Sequence, residues 1–590
     1  MTDVLTRSFD AARTGANTQE TTLTPTNVGA NLLIKLRSLH FDDDPRLEAQ
    51  PLYVAGLGMS DGKVHDVLFV CTMANNVWAF DANDGAVIWK HNIGPAVRPP
   101  EPPDPHNIDL FGINIAWGIL STPVIDRETN TLYCVCWTSP DHSVAKAVHH
   151  LHAIDITSGH RRHPSLVIDA TASAQAAAGE APAKFVSSAQ KQRCSLLLTK
   201  VPDGAGHVRR TVFVGFGMTH ENGDKTHGWL LAYDADSFQQ TAAWCTSPHA
   251  TGTGIWQAGQ GAAADERGDI YVMTGNYGDG DTAPRPGDLP ESIVKLTYTP
   301  PPQGSSAGKL VPVAWFTPFR DVDRNPAGDD DFRDYDLGSG GPVTLPGTSL
   351  VVGAGKDGVL YVLDKDSAKF GQGSDFHVLK QQPIFFTYFP GFGIDAANSH
   401  NLDHLYDGKT HHLHGSPLYW NSPTRGGMLF NWGENECLRA WTISPDGVTQ
   451  FVAKSQEIAS AGMGGKGGMP GGMLALSSNG NVPKTGIVWS LTPISGDANR
   501  HVVEGILRAH DAETLDPVPN ADGTQRLKLL WDSKHIPGNT FHHAKFCPPV
   551  VADGKIFVPT YDGRIDVYAL RPTRNRTAAR PTNFTRVPRH

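Results

Sequence analysis

Short apolar runs broken by tight turns recur along the chain in two phrases. The first phrase is an apolar strand ending in Asp, then a turn, then a return strand carrying Trp. It reads Val77-Trp78-Ala79-Phe80-Asp81 with Trp89, Leu230-Leu231-Ala232-Tyr233-Asp234 with Trp244, and Leu507-Arg508-Ala509-His510-Asp511 with Trp531. A fourth copy, Leu151 to Asp155, keeps the turn and loses the Trp. Asp and Gly suit a tight turn between antiparallel strands, and Trp can pack between neighbouring sheets. The second phrase is Pro or a small residue opening a short apolar strand, at Pro51, Pro123, Ser195, Gly261, Pro342, Pro417, Gly472 and Pro549, at intervals of 55 to 81 residues. Strands that crowd a common axis tolerate small residues and a missing N–H. Eight copies predict an all-β chain: a single eight-bladed β-propeller of four-stranded antiparallel blades over residues 1–570. A β-helix would repeat at shorter intervals, and a pair of sandwiches would not repeat one phrase eight times. Intervals longer than a minimal blade imply long loops, which commonly carry function.

Composition narrows the classes of function. The net charge is −10 over 590 residues, and the basic residues cluster only in the C-terminal tail, 571–590, so no nucleic-acid partner is expected. No stretch of 18 apolar residues occurs, which predicts no membrane span. Met1 to Glu20 has neither a basic nor an apolar leader segment, so the chain as written reads as cytoplasmic, or as periplasmic or secreted if a signal was removed. Seven scattered Cys, with no Cys-x-x-Cys, read as buried thiols rather than a disulfide framework or a metal cage.

Two stretches resemble the dehydrogenases that use pyrroloquinoline quinone (PQQ) to oxidise alcohols. Gly254-Ile255-Trp256, followed by Thr274-Gly275-Asn276, is similar to their fourth blade, where a Trp lies under the quinone and the Asn binds a metal ion. Gly355-Lys356-Asp357-Gly358 resembles the stretch that brings a cation to the quinone carbonyls. The resemblance further implies Glu48 as a cofactor contact and Glu221 as a metal ligand. It places the catalytic base at Asp334 in Arg333-Asp334-Tyr335-Asp336, with Asp336 as the extra ligand found in lanthanide-using members. Three features depart from the family: no two Cys are adjacent, Arg333 stands where a Trp is usual, and His411-His412-Leu413-His414 replaces the usual Asn-Trp.

A PQQ site needs a flat apolar slot, cations for three carboxylates, a hard ion and a base. Glu221, Asn276, Asp334 and Asp336 offer the oxygen ligands that calcium or a lanthanide ion prefers. The leading expectation is therefore a quinoprotein-like oxidoreductase acting on a small alcohol substrate. It would need a separate electron acceptor, because no Cys-x-x-Cys-His haem motif occurs. Each residue also has a purely structural reading: Thr-Gly-Asn and Lys-Asp-Gly make good turns, Trp256 can pack a blade, and Asp329 to Asp336 can be a solvated loop. A second expectation places His411, His412, His414, His542 and His543 near the axial channel as ligands of a metal-dependent hydrolase, lyase or oxidase. A third is a non-catalytic propeller that binds a protein partner.

Overall fold

The computed structural model describes residues 2–41, 46–101, 112–173, 175, 179–202, 208–220, 226–277, 284–302, 305–318, 336–366, 372–373, 380–383, 411–460 and 467–572. The basic tail beyond Pro572 lies outside the described residues. Strands arranged as antiparallel meanders dominate the fold. The first is Leu52–Gly58, Val64–Cys71, Asn76–Asp81 and Val87–Asn92, paired in that order. Its two middle strands are almost wholly buried, while the fourth is the exposed edge. This burial explains the near-continuous Val, Leu and Phe content of the middle strands, which face a neighbouring sheet on both sides.

The same plan recurs from Val124–Asp126 to Leu166–Val167, from Leu197–Pro202 to Gln239–Cys245, from Ala263–Ala264 to Lys309–Phe316, and from Val343–Thr344 to Lys380–Pro383. Among the described residues seven sheets result, the largest with nine strands. That sheet contains two successive meanders, Leu418–Ser422 to Thr449–Ile458 and Met473–Ser477 to Arg526–Asp532, joined by one parallel pairing of Lys454 with Arg526. In the last sheet, Val550–Ala552, Lys555–Pro559 and Arg564–Leu570 are completed by Leu33–His40 from the other end of the chain.

The recurring Asp has a local cause. Asp81 Oδ1 accepts the N–H of Asn83 and Asp84, Asp234 Oδ1 that of Ser237, and Asp511 Oδ1 those of Glu513 and Thr514. The carboxylate thus closes the turn between the third and fourth strands. The Trp of the return strand then couples sheets: Trp89 Nε1 donates to Ile156 O of the next sheet at 3.1 Å. Neighbouring sheets share apolar cores in sequence order, and the ring closes where Val550, Phe557 and Val567 pack with Leu68, Val70 and Trp78 of the first.

Residues 4–17 lie across the starts of these meanders. Their carbonyls accept the N–H of Tyr53, Ile125, Ala264, Thr344, Tyr419 and Leu476, at 2.8–3.1 Å. Arg13 and Asn17 reach Leu196 O and Val551 O with their side chains. The N-terminal segment is therefore a plug that ties the first strands together. Arg13, fully buried, donates also to Thr6 Oγ1, Arg7 O and Ala262 O, and burial lowers its pKa to about 10.

Candidate functional site

Glu48 and Trp256 precede the first strands of their sheets, Leu52–Gly58 and Ala263–Ala264, whereas Asn276 and Lys356 follow second strands, Ile270–Met273 and Leu350–Ala354. Arg7 of the plug donates to Phe546 O at 2.7 Å. Phe546 in turn lies under two cations, with Arg193 Cζ 5.0 Å and Lys545 Nζ 5.3 Å from its ring centre.

Glu48, 1% exposed, is the carboxylate of this group. It accepts from Arg193 Nε at 3.0 Å, Asn114 Nδ2 at 3.2 Å and Tyr561 Oη at 3.3 Å, and Lys545 Nζ is 3.8 Å away. Burial raises its pKa, but the charges of Arg193, Lys545 and Lys191 and the Asn114 hydrogen bond outweigh burial and hold it at about 2. Lys191 lies 3.8 Å over the ring of Trp117. Three buried cations thus surround one carboxylate, an excess of positive charge that suits an anionic ligand.

Trp256 occupies a bed of glycines. A Cβ on Gly217 would come within 2.6 Å of the indole, and one on Gly254 within 2.5 Å, so only glycine admits the ring there. Gly217 is paired with Lys191, which connects the indole to the cation group. The backbone after Trp256 passes through the left-handed region at Gln257 and Ala258, with φ of 50° and 42°, a costly conformation for side chains of any size. It is held by Gln257 Nε2 donating to Gly261 O at 2.9 Å.

Beyond Trp256 lie Gly275 and Asn276. The Asn276 N–H donates to Asp336 Oδ1 at 3.1 Å, and Lys356 Nζ donates to Asp336 Oδ2 at 2.7 Å, all three residues being buried. Asn276 Nδ2 is buried without a hydrogen-bond partner, which costs about 1–3 kcal/mol and marks the amide as one that a ligand would satisfy. Asn276, Asp336, Lys356 and Trp256 are thus brought close together. Glu221 and Asp334 lie outside the described residues.

The histidines divide. His414 Nε2 is hydrogen-bonded to Glu434 Oε1 at 2.8 Å and His412 Nδ1 is 3.6 Å from Glu434 Oε2. His411 is buried beside them, its Nδ1 3.2 Å from Glu434 O. The expected convergence of His542 and His543 is not found. His542 is half exposed and paired with Asp562, while His543 is buried apart, where burial lowers its pKa to about 3. Their backbone N–H groups donate to Asp562 Oδ2 and to Val503 O, at 2.9 Å each.

Sequence reasoning missed Lys191, Arg193, Lys545 and Glu434. The first three carried a usable signal: like Glu48, each stands a few residues before a first-strand phrase.

No family model and no curated protein matches the chain by sequence. Solved structures match in fold. A quinohemoprotein alcohol dehydrogenase from Pseudomonas putida superposes with a TM-score of 0.52 at 15% identity, over 98% of this chain and 82% of that one. The fold is that of the quinohemoprotein alcohol dehydrogenases. A second, from Comamonas testosteroni, gives a TM-score of 0.53 at 15% identity over 96% and 80%.

Proposed function

We propose that this protein is a quinoprotein-like oxidoreductase that oxidises a small alcohol with PQQ and a calcium or lanthanide ion. The observation that carries the reading is the joining of Trp256, on its glycine bed, to Lys191, Arg193 and Lys545 on one side and to Asn276, Asp336 and Lys356 on the other. A flat ring bearing three carboxylates needs that combination: an aromatic face and an excess of buried cations. The likeness in fold supports the reading, and reading the nine-stranded sheet as two blades gives an eight-bladed propeller.

In this reading Trp256 stacks against the quinone, Glu48 and its cations hold the carboxylates, and Lys356 serves the carbonyl edge. Glu221, Asn276, Asp334 and Asp336 would hold the ion. PQQ, when bound, supplies the two-electron acceptor that the polypeptide lacks. Asp334, as base, takes the proton from the substrate hydroxyl. A separate acceptor would then reoxidise the cofactor.

The test is alcohol oxidation by protein reconstituted with PQQ and Ca²⁺ or La³⁺, using an artificial acceptor. Activity that Asp334→Ala abolishes while the near-UV circular dichroism is unchanged supports the reading. Activity retained by Asp334→Ala removes the assigned base.

A further inference from the structure

We propose that His412, His414 and Glu434 bind one divalent transition-metal ion of the Zn²⁺ or Co²⁺ type, separate from the hard-ion site and independent of PQQ. The ligand atoms of these three residues lie within 4.8 Å of one another. Two imidazoles and one carboxylate form a donor set that borderline ions prefer and Ca²⁺ does not.

The group is built rather than incidental. His412 and His414 precede the first strand, Leu418–Ser422, and their ring centres lie 5.8 Å apart. Glu434 follows the adjacent strand, Gly426–Asn431, and its N–H donates to His412 O at 3.0 Å, so the backbones carrying the ligands are tied together. Each Glu434 oxygen faces a different imidazole, Oε1 toward His414 and Oε2 toward His412, at 2.8 and 3.6 Å. Ligand atoms about 2.0–2.2 Å from one ion stand at comparable separations, so binding needs only small side-chain movements. His414 and Glu434 are 3% and 2% exposed, whereas His412 is partly open and gives a way in. The cation Lys356 acts on His412, but its charge is offset by its own partner Asp336.

Untagged full-length protein stripped with chelator and titrated with Co²⁺, with neither PQQ nor Ca²⁺ present, tests the proposal. Visible d–d absorption should saturate at one ion per chain, and excess Ca²⁺ should not displace it. Glu434→Gln, nearly isosteric, and His412→Ala, at the least buried ligand, should each weaken binding beyond the roughly 10–100-fold cost of losing an outer-shell partner. His542→Ala, which removes an exposed imidazole, should leave the affinity within about twofold. The proposal is overturned if the wild type gives no d–d band, if the band survives both ligand variants, if His542→Ala removes it, or if Ca²⁺ displaces the ion. Because no arm contains PQQ, failure here is distinct from failure of the quinoprotein reading.

Discussion

Lys356 Nζ donates to Asp336 Oδ2 at 2.7 Å, and both side chains are over nine-tenths buried. The pair joins two loops 20 residues apart, and through the Asn276 N–H it fastens the metal-side loop to the segment beyond Trp256. Removing one partner leaves a buried charge exposed to an apolar setting. Lys356→Met should therefore destabilise the protein by about 3–5 kcal/mol, and the double variant with Asp336→Leu by much less. Denaturant unfolding of the single and double variants gives the coupling directly.

Glu48 makes stability depend on acid. Its folded pKa, about 2, lies below the ordinary 4.5, so its contribution is complete above that ordinary value and is lost as pH falls from there toward 2. The shift corresponds to about 3 kcal/mol at neutral pH. Glu48→Gln should lower unfolding free energy by that order at pH 7 and by almost nothing near pH 2. Urea titrations at the two pH values decide it.

The glycine bed of Trp256 predicts a steric effect. Gly217→Ala sets a methyl 2.6 Å from the indole, so the ring must shift. We expect overpacking of about 1–3 kcal/mol, a change in tryptophan fluorescence and weaker PQQ binding. Wild-type fluorescence and affinity in this variant would show that the ring has room to move.

The plug predicts a global effect from one side chain. Arg13→Ala leaves Leu196 O and Ala262 O, acceptors on separate sheets, without their donor. With each buried acceptor worth about 1–3 kcal/mol, the loss should be roughly 2–6 kcal/mol, visible as a lower thermal midpoint with unchanged secondary structure.

These particulars show what the sequence made legible. The first-strand phrases led directly to the strands, because Pro51, Pro123 or Pro549 marks the point where a chain turns into the crowded centre and needs no N–H. Trp256 and Lys356 were found through short motifs whose turn chemistry survives in isolation. The plug was invisible, since residues 4–17 have no apolar period and bind through carbonyls that any residue carries. Glu434 was missed for another reason: its partners His412 and His414 lie some 20 residues earlier, and only the hairpin register brings them together. His542 misled because standing before a first strand does not fix the direction of a side chain, and here the ring is half exposed and paired with Asp562.

Whether this protein is a quinoprotein is decided by PQQ binding. Titrating the protein with PQQ and either Ca²⁺ or La³⁺, while following the quinone absorption, should show saturation at one molecule per chain that Trp256→Ala abolishes in a folded protein. PQQ that passes through desalting unbound with both ions, or binds equally well without Trp256, would exclude this mode of quinone binding.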